Sequence, residues 1–272
     1  MVEEQKTKSC VEAKEEGRYV YCVADSDQVI NLGKIGIEDN EVYTVSGKGL
    51  CAVVHNCEAE PYVSDDDKKV KDWIKTHQKV VETSEKKLGA VIPLTFDTIV
   101  KGADPNSLII KWLEEENENL KKLIEKIKGK QEFGVQICWD EKIIGQKLAE
   151  ENEEIKRLKE KIKGQGRGTA YFYEQRIKDA LKKEMGKSAD AYFKKFYEQI
   201  KNQVDNIRVA KIKKMEEGKE MLAHFSCLVY KDKTEQLQKE LTEINDLEGF
   251  SVILTGPWPP YSFVSLENMS RN

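Results

Sequence analysis

The feature that most restricts the fold is a highly charged stretch in the middle of the chain with a helical repeat. Between residues 144 and 162, positions on one seam recur at steps of four, three, four, three and four, and one of them is charged. This spacing aligns side chains along one face of a helix, as in coiled coils, and does not suit a strand. The seam consists of Ile144, Leu148, Glu151, Ile155, Leu158 and Ile162.

A second long helix is predicted over about 170–215, after a glycine-rich break at residues 164–168. Glycines clustered between two periodic segments are typical of a turn. Two long helices joined in this way predict an antiparallel helical hairpin. The apolar face of the second helix carries Ile177, Leu181, Phe193, Phe196, Ile200, Val204 and Ile207.

Short apolar runs on both sides of the hairpin predict strands. The order is strand, two helices, strand, helix, strand, which favours helices packed on one face of an antiparallel sheet, as in ferredoxin-like folds. We therefore predict a modified ferredoxin-like C-terminal domain over 129–264, ending in a tail rich in proline and aromatic residues. The strands and helix outside the hairpin are predicted at 133–139, 222–230, 234–247 and 250–255.

The first part of the chain predicts a separate α+β domain over 17–128 with a β-rich beginning. Residues 1–16 are charged and contain little that could be buried, so they are predicted to be a mobile tail. The fold class is therefore α+β, with two domains. The predicted strands are 18–23, 42–45, 50–55 and 91–96, and the predicted helices are 66–87, with Ser64 supplying the N-cap, and 108–128.

The overall charge and the hydropathy pattern argue against several classes of partner. Among the 272 residues, 45 lysines and arginines against 49 aspartates and glutamates leave a net charge of −4, which provides no long-range attraction for nucleic acid. The longest apolar runs fall far short of the roughly 20 residues that span a bilayer. Met1–Glu16 does not resemble a secretory leader. We expect a cytoplasmic protein without a membrane span.

Cys51, His55 and Cys57 are the best candidates for a metal site, because alternate residues of a strand share one face. However, alternate residues on a single strand lie nearly 7 Å apart, a poor fit to a tetrahedral zinc site, and no second ligand pair is evident. The six cysteines are dispersed and contain no CxxC pair. We therefore predict reduced, metal-free thiols and no cofactor.

Neither the glycine-rich turn nor the histidines match a known catalytic or phosphate-binding pattern. Gly164, Gly166 and Gly168 do not match a dinucleotide loop or a P-loop, so a turn between helices is favoured, with Arg167 free to contact a partner. The three histidines lie in different elements, and no serine or cysteine stands in a nucleophile elbow. The sequence therefore predicts no catalytic residues and a protein that is not an enzyme.

The segment after Thr255 is more specific. Three prolines within four residues favour an extended, pre-ordered backbone. The large apolar side chains beside them must pack on the protein itself or on a partner, and both alternatives stay open. We expect Trp258 and Tyr261 to anchor this tail in a groove beside the final strand. The candidate contact residues are Trp258, Pro259, Pro260, Tyr261 and Phe263.

Several segments, in order along the chain, resemble the gas vesicle protein F/L family (GvpF/GvpL). The most specific is the C-terminal motif, and one departure is Asp97, where the family more often has glycine. The resemblance covers roughly residues 17–264. It is carried by Gly17–Val23, His77-x-x-Val-Val-Glu82, Val91-Ile-Pro-Leu-x-Phe96, Gly166–Tyr173 with Arg176, and Leu254-Thr-Gly-Pro-Trp-Pro-Pro-Tyr-Ser-Phe-Val264.

The resemblance implies a cytoplasmic accessory protein that acts in the assembly of gas vesicles, with a minor structural role as an open alternative. Its implied partners are the small hydrophobic gas vesicle shell protein and other accessory gas vesicle proteins. The residues alone leave two other classes open. One is a ferredoxin-like small-molecule sensor or enzyme, because that fold hosts many functions. The other is a nucleic-acid binder that uses an open sheet.

Overall fold

The computed structural model describes residues 15–212 and 219–264. These residues form two compact units: 15–128 together with 259–264, and Gly129–Trp258. The sequence-based division differs in one place, because it assigned 259–264 to the C-terminal domain, whereas in the structure these six residues belong to the first unit. Most of the predicted mobile tail, 1–16, lies outside the described residues.

The first unit contains an antiparallel sheet with the order β2-β3-β4-β1-β5, and β6 also pairs with β1. Lys48 and Gly49 both have positive φ angles in the turn between β3 and β4, as a tight two-residue hairpin requires. The strands are β1 (Glu16–Ala24), β2 (Asn31–Gly33), β3 (Val42–Gly47), β4 (Leu50–Glu58), β5 (Val91–Pro93) and β6 (Ile99–Lys101).

Helices cover both faces of this sheet: α1 (Asp67–Leu88), α2 (Pro105–Glu115) and α3 (Asn117–Ile127). Tyr19 and Tyr21 of β1 belong to the apolar cluster that includes α1, whereas Val20 belongs to the cluster that includes α2 and α3. Burial on both faces explains why β1 is almost continuously apolar and aromatic.

Two helix boundaries in the first unit differ from the prediction. Asp66, and not Ser64, caps α1 by accepting a hydrogen bond from the backbone N–H of Lys68. The helix predicted over 108–128 is two helices that meet at Glu116, whose backbone leaves the helical region. Asp104 caps α2, because its side chain accepts a hydrogen bond from the backbone N–H of Ser107, and Pro105 follows as the first residue of the helix.

The second unit is an antiparallel sheet with the order β10-β7-β9-β8. Its chain order is strand, helices, strand, strand, helix, strand, with the first strand inside the sheet, which is the ferredoxin-like arrangement. The predicted α+β class is confirmed. The elements are β7 (Lys130–Asp140), α4 (Glu141–Glu151), α5 (Glu153–Ile162), α6 (Arg167–Lys201), β8 (Asn206–Val209), β9 (Lys219–Tyr230), α7 (Thr234–Asn245) and β10 (Phe250–Trp258).

The helical hairpin differs from its sequence-based form at two points. The seam from 144 to 162 is not one helix, because Asn152 interrupts it and caps α5 through the N–H of Ile155. The second helix ends at Lys201 and not near 215, and residues 206–209 form β8 against β9. Ile207 therefore packs on the core from a strand and not from a helix.

The core of the second unit lies between its sheet and the C-terminal half of α6. Phe196 and Ile200 of α6 are fully buried beside Phe225 of β9 and Leu237 of α7. The ring of Phe196 meets the ring of Phe250 edge-on, with 5.2 Å between centroids. The end of α6 is therefore fixed in the core, and the α5–α6 turn lies at its other end.

Candidate functional site

His55 lies at the centre of a buried hydrogen-bonded network in the first unit. Its Nδ1 atom is 2.8 Å from the Tyr21 hydroxyl, and its Nε2 atom is 3.0 Å from the Tyr62 hydroxyl. Both ring nitrogens therefore already have partners within the protein. Over residues 15–212 and 219–264, no cluster of three or more His, Cys, Asp or Glu side chains is arranged to hold a metal ion.

His77 of α1 forms the second half of the network, and its partners define its tautomer. Nε2 is 3.1 Å from the carbonyl oxygen of Leu94, which can only accept, so Nε2 carries the hydrogen. Nδ1 therefore accepts a hydrogen bond from the Tyr19 hydroxyl at 2.9 Å. The same hydroxyl accepts from the backbone N–H of Asp97 at 3.0 Å. The network thus ties the segment after β5 to the centre of the sheet.

Asp97, the departure from the family motif, occupies a position that suits glycine. Its φ angle is +69°, in the left-handed region that aspartate tolerates better than most residues. Its side-chain Oδ1 accepts a hydrogen bond from the backbone N–H of Tyr62 at 2.9 Å. The carboxylate therefore adds a contact between two loops that glycine could not supply.

Burial keeps the groups of this network neutral. Burial lowers the pKa of His55 to about 4. Burial also lowers the pKa of His77 to about 4, although the hydrogen bond to the carbonyl of Leu94 acts to raise it. Burial raises the pKa of Tyr19 and of Tyr21 well above the ordinary value. Neutral, fully bonded side chains suit a structural role. A general base would need a pKa near the working pH.

The described cysteines are free thiols, and burial raises the pKa of Cys51 and of Cys57 to about 11 and that of Cys227 to about 12. We expect these five cysteines to react slowly with thiol reagents at pH 7 in the folded protein, because the thiolate is the reactive form. Unfolding should expose all the thiols to the reagent.

Elemental analysis should find no stoichiometric zinc, and about one zinc per chain would contradict this expectation. Cys10 lies outside the described residues.

The structure divides the predicted tail contacts between the two units. Trp258 ends β10, pairs with Glu132 and is 40% exposed. Pro259 and Pro260 are buried, and Phe263 is 1% exposed. Tyr261 lies with its ring centroid 6.4 Å from that of His77. Trp258 therefore belongs to the second unit and Tyr261 packs in the first unit, whereas the sequence predicts that both anchor the tail in one groove beside the final strand.

A cavity of about 720 Å³ lies beside this segment in the first unit, and we call it the tail groove. Leu94, Ile99 and Leu108 are among its apolar lining residues, and Lys101 and Glu115 add charge. Tyr261 and Val264 also line it. The tail groove therefore has the apolar surface and the charged groups that an extended peptide could contact.

Comparison with known proteins shows similarity along nearly the whole chain. Residues 17–265 match the family described as gas vesicle synthesis protein GvpL/GvpF. Gas vesicle protein L1 of Halobacterium salinarum is 31% identical over 270 residues, covering 96% of this chain and 95% of that protein. Gas vesicle protein L2 of the same organism is 29% identical over 258 residues, covering 91% of each.

Two solved structures are similar in fold. The gas vesicle protein GvpF from Anabaena sp. PCC7120 aligns with a TM-score of 0.73, and GvpF from Microcystis aeruginosa aligns with a TM-score of 0.64. Each is 18% identical to this chain, and each alignment covers 92% of this chain and 99% of the solved chain.

None of the helices over 15–212 and 219–264 has both the length and the apolar content that a membrane span requires.

Proposed function

The chain belongs to the gas vesicle synthesis protein GvpL/GvpF family, and from this premise we propose that it is a non-catalytic accessory protein of gas vesicle formation. The family match over residues 17–265 carries the proposal, because it includes both units. A role related to gas vesicles follows from membership itself. Acting through protein–protein contacts during assembly is the more specific part, and a minor structural role in the finished vesicle is compatible with it.

We propose that the partners are the hydrophobic shell subunit and other accessory gas vesicle proteins. Exposed apolar side chains on this chain could form hydrophobic contacts with such partners. Trp258 is 40% exposed and Ile253, on the same strand, is 42% exposed. The tail groove adds a concave surface of mixed apolar and charged residues in the first unit. We propose that the protein acts in the cytoplasm and at the gas vesicle.

The titratable groups support a binding protein over the alternative of a ferredoxin-like sensor or enzyme. An enzyme of that kind would need a cleft with a group poised to exchange protons. In the described part of the chain, every group with a large shift is a His, Tyr or Cys that burial holds in its neutral form. These groups are Tyr19, Tyr21, Cys22, Cys51, His55, Cys57, Tyr62, His77, Cys227 and Tyr261.

Pairwise binding assays with purified proteins would test this proposal. The full-length chain would be titrated with the shell subunit and with each other gas vesicle protein of the same organism. Saturable binding to at least one of them is expected. Failure to bind any of them would contradict the proposed function.

A further inference from the structure

The end of the helical hairpin has a charge opposite to that of the whole protein. We call residues 156–178 the hairpin tip; they comprise most of α5, the glycine-rich turn and the first turns of α6. This segment holds eight basic residues and two acidic ones, Glu160 and Glu174, so its charge is +6 in a chain of net charge −4. The basic residues are Lys156, Arg157, Lys159, Lys161, Lys163, Arg167, Arg176 and Lys178.

These basic side chains are available for a partner. All eight basic residues are exposed to solvent. Lys156 forms an ion pair with Glu153, with 2.8 Å between nitrogen and oxygen. Within residues 15–212 and 219–264, none of the other seven has a carboxylate within ion-pair distance. Glu153 lies near the tip, and Lys156 and, more weakly, Arg157 lower the pKa of its carboxyl group. Most of the positive charge of the tip is therefore not neutralised inside the protein.

Two large aromatic side chains are exposed at the same tip. Tyr171 is 62% exposed and Phe172 is 60% exposed, in the first two turns of α6. The ring of Phe172 contacts that of Tyr173, with centroids 6.0 Å apart, but this contact leaves most of Phe172 in solvent. Exposed aromatic side chains beside unpaired arginines resemble the residues that dominate binding at protein–protein interfaces.

The hairpin holds this surface well away from the core of its unit. The first residue of α6 that packs on the core cluster is Met185. Arg167 lies 18 residues earlier, and a rise of 1.5 Å per residue places it about 27 Å from that point along the helix. Ile155 and Leu158 of α5 are buried, and α5 packs against α6. The tip is therefore supported by a two-helix stem.

We propose that the hairpin tip is a docking surface for a protein partner that presents carboxylates around an apolar patch. The carboxylates would pair with the exposed cations of the tip, and the apolar patch would cover Tyr171 and Phe172. This inference rests on the proposed function for the identity of the partner, which would be one of the other gas vesicle proteins. It adds to that function the place on this chain where the contact is made.

The charge distribution favours a protein over nucleic acid or a lipid surface. Residues 141–155, at the base of the same hairpin, hold five acidic and two basic residues, a charge of −3. An extended polyanion lying along the hairpin would meet this negative segment, whereas a compact acidic patch meets only the tip. A lipid-binding helix presents a long apolar face, whereas the large exposed apolar residues of this hairpin are only Ile143 in α4 and Tyr171 and Phe172 at the beginning of α6.

Charge reversal at the tip provides the test, with a matched control on the same helix. The tip variant combines Lys163→Glu, Arg167→Glu and Arg176→Glu. The control variant combines Lys182→Glu, Lys183→Glu and Lys195→Glu, which are also exposed and outside the ion pairs described above. Both variants change the net charge by the same amount. Circular dichroism and thermal melts would verify that both fold, and the double variant Tyr171→Ser, Phe172→Ser would probe the apolar contact.

Binding of each full-length variant to the purified gas vesicle proteins would be measured at low and moderate salt. We expect the tip variant to bind at least about tenfold more weakly and the control to stay within about twofold of the unchanged chain. Equal binding by the two variants would overturn the inference and leave the proposed function intact. The inference would also be overturned if the chain bound a single-stranded oligonucleotide or phosphatidylglycerol vesicles more tightly than any gas vesicle protein, and if the tip variant lost that binding. Absence of binding by the unchanged chain would overturn both.

Discussion

Phe263→Ala is expected to lower the free energy of unfolding of the first unit by about 3–5 kcal/mol. Phe263 is 1% exposed and belongs to the segment 259–264, which lies with the first unit although it is last in the described chain. Removal of a fully buried phenyl ring forfeits its burial and leaves a cavity. Within the segment, the N–H of Phe263 donates a hydrogen bond to the carbonyl of Pro260 and closes a single helical turn.

Trp258→Ala is the matched control, because it removes an even larger aromatic side chain from the same stretch of sequence. Since Trp258 is 40% exposed, we expect it to reduce stability by no more than about 1 kcal/mol. Urea denaturation of both variants would measure the difference. If the two variants unfold alike, the segment is not a structural part of the first unit. If Trp258→Ala keeps its stability but loses partner binding, Trp258 is a partner contact.

Acidification from pH 6.5 to pH 5 is expected to destabilise the first unit by about 2 kcal/mol for each of His55 and His77. Burial lowers the pKa of both to about 4, below the ordinary value of 6.5. The unfolded chain therefore binds protons before the folded chain does as the pH falls. Stability from this source is fully present above pH 6.5 and is lost progressively as the pH approaches 4.

Denaturant titrations at pH 7, 6 and 5 would measure this loss. His55→Gln and His77→Gln retain a hydrogen-bonding side chain but cannot be protonated. Each single variant should be less stable at pH 7, because the network is broken, and should lose about half as much stability on acidification as the unchanged protein. Equal stability of the unchanged protein at pH 7 and pH 5 would show that the histidines are not held in a neutral, buried network.

The sequence predicted the fold best where local pattern and burial agree. In β1, β-branched and aromatic residues follow one another because both faces of the strand are covered, and the run was recognisable as a strand. The period of α1 follows its single buried face, with Trp73, His77 and Val80 pointing inward. In the second unit, the succession of strands and helices favoured the ferredoxin-like arrangement, although the prediction lacked β8.

The errors occurred where a helical period continued by chance across a break. Residues Ile144 to Ile162 keep their spacing through Asn152, but the asparagine side chain caps a new helix there. Val204 and Ile207 continue the spacing of α6, yet the chain has already turned at residues 202–205 and enters β8. Pairing with β9 decides this segment, and local pattern does not record such a long-range partner.

The candidate site was the least predictable part, because its contacts join distant residues. Tyr19 and His77 are 58 residues apart, and Tyr261 packs beside His77 from the other end of the chain. Tyr19 and Tyr21, two residues apart in a strand, were a signal that two hydroxyls would face the same way. The sequence contained no signal for which histidines would meet them. The exposure of Tyr171 and Phe172 could be read only from the structure.

Deletion of the gene for this protein, followed by electron microscopy of the cells, tests the central claim most directly. The strain should contain no other member of the GvpL/GvpF family, and a plasmid copy of the unchanged gene serves as the control. We expect the deletion strain to lack gas vesicles or to contain few and misshapen ones, and the plasmid copy to restore them. Gas vesicles of normal number and shape in the deletion strain would contradict a role for this protein in their formation.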